Sequence, residues 1–555
     1  MNQKRFTLNS NPKDESSPEM MPSRAAALPI MGGLDPFSGT WNYATAAHLL
    51  RRAMFGPTHA QINQAVSEGL NKTLDKLMQP TPEPAPPLNY GFAQDVSAPI
   101  GETWVDKPGD PTIQGLFQSR DNSLHAWIME NIFNEGVSLT EKMMLFWHNH
   151  FVVSDIFDPR YKYYYLTSLR KNVLGNFKTL TEEITIDAAM LVYLNGNQNT
   201  NRAPNENYAR ELMELFTCGK GQLVGPGDYT TYTEKDIAAV AKVLTGWTIV
   251  RDRNLGTYNV QFAANLHDTS TKTLSNRFNN ATISNKGNNE YKEIIHLLFQ
   301  KRETATFICR KLYRYFVYYQ VDLAIENEIV NGLADLLIAD NFNISTVVRK
   351  LLSSDHFYSA EALGAMIRPP YEFLFNTLKT MSFTPPTTLA EKYNTYLFFY
   401  RGSANLQQVY FDVPSVAGWT PYYQEPGFHE IWINSVTLPA RVTWTSGLIT
   451  KLRIRNVTGL FGLDLVAYVG TLPDPTNAKN LIADIVAHLL PRPIYSNQSD
   501  YLLKVLLGNI TEARWTTDYN NFKANPTNTQ ARATIENKLK ILFFALLAMP
   551  EYQLS

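Results

Sequence analysis

His148-Asn149-His150 places two imidazoles at i and i+2. In an extended backbone alternate side chains share a face, and such a pair can grip one metal ion. On a regular α-helix the same residues point about 200° apart and cannot share an ion. Leu139, Met143, Trp147 and Phe151 predict a helix ending near Phe151. Two readings follow: a metal-ligand pair, or two histidines hydrogen-bonded within a buried helix end.

A second group lies on the helix predicted from Glu206 to Phe216, capped by Asn205 and ended by Gly219 and Gly221. Glu211 and Glu214 are three apart and neighbour each other on one face, while Arg210 is four residues from both Glu206 and Glu214. The acids read either as inward metal ligands or as an Arg-centred salt-bridge network. Glu-x-x-His pairs are missing, which argues against a di-iron carboxylate site. A third group, His267-Asp268, precedes Thr269, Ser270, Thr271 and Lys272. It suits a metal, a phosphate or a sugar, or else an Asx-turn closed by Asp268. Trp419 lies in an aromatic loop with Tyr410, Phe411, Tyr422, Tyr423 and Trp432. It reads as a sugar-stacking wall or as a plug between helical lobes. Arg310, Lys311 and Arg314 alternate with Leu312, Tyr313 and Phe316 on an amphipathic helix whose basic side is expected to face solvent or carboxylates. No Walker A loop, GxSxG, HExxH or Rossmann fingerprint is present.

If these groups form one centre, His148, His150 and His267 are its metal ligands. Glu211, Glu214, Arg210 and Asp268 are its catalytic groups, and Trp419, Arg52 and Lys272 bind substrate. Such a mixed nitrogen and oxygen set suits Zn, Mn or Fe better than Ca.

The elements that must position these residues are mostly helical. Three- and four-residue spacing starts at Tyr43 and runs through Leu77 until Pro80 stops it. Residues 80–112 are a long Pro- and Gly-containing loop, residues 122–218 read as four or five helices, and 401–432 are irregular. The period changes once, at Trp247–Val250 and Tyr258–Phe262 around Asn254, Leu255 and Gly256, which predicts a β-hairpin. The expected fold is mainly α: a large multi-helical body with one short hairpin and long irregular loops. Residues 1–38 read as a flexible arm and 39–555 as one helical domain, with a division into lobes 39–285 and 286–555 left open.

Lys and Arg number 50 against 51 acidic side chains, so no global field draws in nucleic acid. Two cysteines, Cys218 and Cys309, exclude a disulfide framework and a Cys-based zinc ribbon. No apolar h-region follows Lys4-Arg5, and the longest apolar run, Ile541–Met549, is too short to span a bilayer. The expectation is a soluble chain with no ordinary signal peptide, cytoplasmic by sequence.

Eight segments, in order, resemble the recurrent blocks of the bacterial "domain of unknown function 1800" family. They are His48–Thr58, Leu145–Ser154, Pro204–Gly219 with Tyr232–Ile249, His267–Leu274, Phe307–Val317, Met366–Leu374, Val413–Trp419 and Met549–Leu554. The resemblance implies a family many of whose members look exported. It also implies a companion from the "domain of unknown function 1501" family, which resembles alkaline phosphatases and sulfatases. Two functions are therefore expected. One is a metal-dependent enzyme acting on a carbohydrate, phosphate or sulfate ester. The other is a non-catalytic scaffold or cell-envelope partner of that phosphatase-like companion.

Overall fold

The computed structural model describes residues 32–251 and 258–555. The arm expected over 1–38 lies outside the described residues as far as residue 31. From Gly32 the chain is tied down, because Phe37 N donates to Ser353 O and Ser38 N to Asp355 Oδ1. The fold is mainly α, as the spacing predicts, and 56% of it is helical. One hydrophobic cluster runs from Ala46 to Tyr552 and draws on both halves of the chain.

The first apolar run forms three helices, Tyr43–Ala53, His59–Glu68 and Leu70–Leu77, where its spacing alone suggested continuity. The breaks have local causes. Asn42 and Thr58 cap the first two helices through capping boxes, and Gly69, at φ +83°, separates the last two. Helix Thr140–His150 is the axis of the body: every residue in it except Asn149 is buried. Its neighbours include Pro159–Lys171, and Leu116–Asn134 packs on Leu389–Asn405. Residues 80–115 carry no helix but are pinned to the body. The buried Arg120 grips Asp95 with two hydrogen bonds, 2.8 and 2.9 Å, and Asn89 Nδ2 donates to Ala98 O and Phe92 O. The predicted hairpin pairs Trp247–Arg251 with Tyr258–Phe262 in antiparallel register. Its turn, around Asn254 to Gly256, lies outside the described residues. Two shorter ladders, Leu223–Gly225 with Asp228–Tyr229 and Lys272–Thr273 with Thr282–Ile283, carry no alternating pattern long enough to read in sequence. The last block is interrupted at residues 451–464, between helices Thr437–Thr450 and Leu465–Gly470, in addition to the breaks beside Pro473 and Pro491.

Helix C-termini leave unpaired carbonyls at the negative end of the helix dipole. Arg51 and Arg52, adjacent on the first helix, each reach a different one. Arg51 Nη2 donates to Ala487 O and His488 O at the end of helix Ala478–Leu489, and Arg368 adds Leu489 O. Arg52 Nε donates to Phe316 O at 3.0 Å and Nη2 to Tyr315 O, ending helix Arg302–Phe316, while Nη1 reaches Ser555 Oγ. Arg52, expected from the sequence as a substrate ligand, is therefore placed as a buried helix cap. Arg52→Met should lower stability by about 2–3 kcal/mol through the buried carbonyls it orphans, read as a shift in the urea midpoint at unchanged m-value.

Candidate functional site

The helix Thr140–His150 ends at Phe151, so both histidines of the His-Asn-His run have helical backbone and point apart. His148 Nε2 accepts a hydrogen bond from Phe411 N at 3.1 Å, and the ring stacks on Tyr410 at 4.7 Å between centroids. Burial, and then the charges of His125 and Lys162, push its pKa down to about 3. His150 faces the other way. Its Nε2 donates to Phe216 O at 3.1 Å and its Nδ1 accepts from Lys311 Nζ at 3.2 Å. Burial, with Lys311 beside it, holds this imidazole well below its ordinary pKa, so it is neutral. His267 lies in a third place. It bonds Thr245 O through Nδ1 (2.8 Å) and Glu290 Oε2 through Nε2 (3.0 Å), and Lys272 Nζ pairs with Glu290 Oε1 at 2.5 Å.

The three histidines therefore do not line one cleft. His150 meets the C-terminal end of helix Glu206–Glu214 at Phe216. Asn201, just before the N-terminus of that helix, bonds Leu266 O and His267 O. A nine-residue helix, about 13 Å long, lies between them. Among the described residues no group of three or more His, Cys, Asp or Glu side chains is placed to hold a metal ion. His148, His150 and His267 each bond to a different part of the protein instead.

The other predicted residues find equally local partners. Arg210 grips Glu234 with two hydrogen bonds, 2.8 and 2.7 Å, rather than Glu206 or Glu214. Glu214 accepts from Tyr232 Oη at 2.7 Å and pairs with Lys220 at 3.2 Å. Glu211 is half-buried, and burial followed by the neighbouring Glu214 raises its carboxyl pKa. Asp268 closes an Asx-turn by accepting from Ser270 N and Ser270 Oγ, and Lys272 Nζ donates back to Asp268 O. Trp419 is buried, as are Tyr410, Phe411 and Trp432, so the aromatic loop fills the body.

That loop is locked onto the central helix by one close approach. Asn149 Oδ1 accepts from Trp419 N at 2.8 Å, and Gly418 stands at φ +109° with its Cα against Asn149. The lock forms one wall of a small, partly open chamber whose inner space is about 30 Å³. By the measure on which one water needs about 10–15 Å³, the chamber has room for about two. His150, Asn149, Lys311, Arg314, Tyr315 and Tyr422 line it. Lys311 is the residue that the sequence reading misplaced. Arg310 does turn to a carboxylate, Glu326, as expected, but Lys311 turns inward. The available signal was its position among Thr304, Ile308, Leu312 and Tyr315, the buried stripe of its own helix.

Lys311 Nζ sits 3.2 Å from His150 Nδ1, 3.5 Å from Leu215 O and 4.8 Å from the centre of the Phe307 ring. No carboxylate pairs with it in the described structure. Burial, and then the charge of Arg314, push its pKa down to about 7. Arg314 is fixed by donating from Nε to Tyr319 O at 3.0 Å and by lying on the Phe428 ring. The chamber thus holds a neutral imidazole, an amine that titrates near neutrality and a fixed guanidinium.

Segments distant in sequence meet here. The central helix supplies Asn149 and His150, the Lys311 helix closes one side, and the Gly418 loop closes the other, while the Phe216 turn holds the far nitrogen of His150. Arg52 caps the helix that carries Lys311. No helix among the described residues is long and apolar enough to cross a membrane. No curated protein and no solved structure matches the chain. A family profile described as "Protein of unknown function (DUF1800)" matches residues 48–554, nearly the whole chain, and the protein belongs to that family.

Proposed function

We propose that the chain binds the acidic group of a phosphate or sulfate ester in the chamber beside Lys311, and acts on that ester without a metal built from its own histidines. One observation carries the reading: a half-buried lysine amine with no carboxylate partner among the described residues faces a small, mainly apolar chamber beside a second fixed cation. Buried cations are ordinarily paired, and one left unpaired has strong electrostatic reason to accept an anion. Arg314 offers fixed positive charge to the ester oxygens. Lys311, which holds its proton once the anion is seated beside it, is placed to give that proton to the leaving ester oxygen as water attacks the bound group. His150 cannot take that part, since both its nitrogens are bonded and its pKa is far too low.

The test is a panel of aryl phosphates and sulfates with wild type and Lys311→Met, alongside thermal shifts with inorganic phosphate and sulfate. Wild type is expected to turn over at least one ester class and to gain melting temperature with the matching anion. Lys311→Met should lose both. No response of wild type to either anion would end this reading.

The variant also gives a pH signature. Lys311 has a pKa of about 7 in the folded chain and its ordinary, higher value when unfolded. Between those values the unfolded chain holds the extra proton, so this group makes stability rise with pH from about 7 upward. Below about 7 its cost is present in full. The other groups facing it are His150, Arg314, Tyr315, Tyr422 and Tyr423. The imidazole stays neutral, the guanidinium stays charged, and burial raises Tyr315 and Tyr422 out of the range. The melting temperature of Lys311→Met relative to wild type should therefore increase as pH falls from 9 to 6. A difference independent of pH would mean that the amine does not titrate there.

The scaffold function has its own support: His148, His150, His267, Asp268 and Arg52 all serve internal hydrogen bonds. In that role the chain holds the phosphatase-like companion and has no turnover. Co-purification of the two proteins with an inactive ester panel would favour it.

A further inference from the structure

A second cavity, of about 460 Å³, opens between helices Leu389–Asn405 and Thr437–Thr450, away from the Lys311 chamber. Each helix presents one stripe to it. Phe398, Arg401, Gly402 and Asn405 recur at i, i+3, i+4 and i+7 on the first. Ala440, Thr443, Trp444 and Gly447 recur at the same spacing on the second. Helices facing each other through such stripes normally interlock. Here three of the eight positions are Gly or Ala, and the helices stand apart over a slot.

The slot has polarity. Phe398 and Trp444 stack at 5.4 Å and 21°, forming an aromatic wall. Gly402 is what lets the indole lie against the first helix, because a Cβ there would stand 2.8 Å from the Trp444 ring. Trp444 is 8% exposed, yet its buried Nε1 has no hydrogen-bond acceptor. A buried N–H without an acceptor is costly and uncommon. At the rim, Arg401 is exposed and, among the described residues, no carboxylate pairs with it.

We propose that this slot binds a single-chain amphiphile: a medium-length hydrocarbon body seated on Phe398 and Trp444, with a carboxylate head on Arg401. The apolar walls call for the body, and Arg401 calls for an anionic head. The inference is independent of the chemistry proposed at Lys311.

Decanoate, below its micellar concentration, is the probe, with decanol as the uncharged counterpart. Binding is read by calorimetry and by the tryptophan fluorescence of the full chain. Decanoate is expected to bind at one site and to protect the fold against heat. Arg401→Gln should weaken decanoate about tenfold, the loss of one charge-assisted contact, and leave decanol unchanged. Ala440→Leu fills the slot and should abolish binding of both. If Ala440→Leu does not fold, Arg401→Gln still decides the matter. Absence of binding, or binding of both probes unaffected by both substitutions, would overturn the proposal. Binding that responds to Lys311→Met instead would place the amphiphile in the other chamber and equally overturn it.

Discussion

Glu372→Gln should destabilise the protein by about 3–5 kcal/mol, the cost of leaving a buried charge without its partner. Glu372 is 7% exposed and forms a short ion pair with Lys142, which is buried beneath the rings of Phe55 and Tyr315. Its influence extends further. Burial lowers the pKa of Arg52, Arg368 and Arg441, the last to about 9, and the Glu372 carboxylate opposes that shift in all three. One carboxylate therefore supports four buried cations. The isosteric amide removes the charge and keeps the volume, so the loss is electrostatic rather than steric. Chemical denaturation should show it directly. The double variant Glu372→Gln with Lys142→Met should recover part of the loss, because the nearest orphaned cation is gone. A loss below about 1 kcal/mol, as for an exposed pair, would show that the cluster is more solvated than its burial implies.

Gly418→Ala should cost about 2–5 kcal/mol, combining backbone strain with overpacking. An added Cβ would lie 2.4 Å from Asn149 Oδ1 and 2.9 Å from Asn149 O, at a φ of +109° that L side chains rarely adopt. Relief requires the loop to lift from the central helix and break the bond from Trp419 N to Asn149 Oδ1. That movement opens the Lys311 chamber. The variant should therefore lose the thermal response to phosphate or sulfate even at temperatures where it remains folded. A folded variant with an intact response would show that the loop does not form the chamber wall.

The helical fold was legible because its signals are local. Asn42, Thr58 and Asn205 cap the helices they precede, and the single change of period at Trp247 marks the hairpin. The division of the first run near Pro57 and Gly69 was missed, because the apolar spacing continues across both breaks. The site was less legible, for a physical reason. The residues that looked reactive in sequence, His148, His150, His267 and Asp268, are polar groups inside apolar segments. Burial obliges such groups to find partners, and their partners come from segments far away: Phe411 for His148, Phe216 for His150, Glu290 for His267. Spacing along the chain carries no trace of those pairings. Lys311 looked ordinary because basic residues flank it on a helix. Only packing shows that Arg310 has a carboxylate and Lys311 has none. Arg52 likewise read as a substrate ligand, and the roles of Arg51 and Arg52 as caps of two different helices depend wholly on tertiary contact.

The most direct test of the central claim counts protons taken up when the chamber fills. In the free protein Lys311 has a pKa of about 7, and an anion seated beside the amine would raise it. Binding at pH 8 then requires uptake of nearly one proton, binding at pH 6 almost none, and affinity falls up to about tenfold per pH unit above 7. Calorimetric titration of the anion that protects wild type, in buffers of different ionisation enthalpy, gives that count directly for sulfate, and for phosphate after the protonation change of the anion itself, which also titrates near neutrality, is subtracted. The account predicts about one proton per anion at pH 8 for wild type, and no binding for Lys311→Met. Anion binding with no proton uptake at pH 8, or unchanged in Lys311→Met, would contradict it.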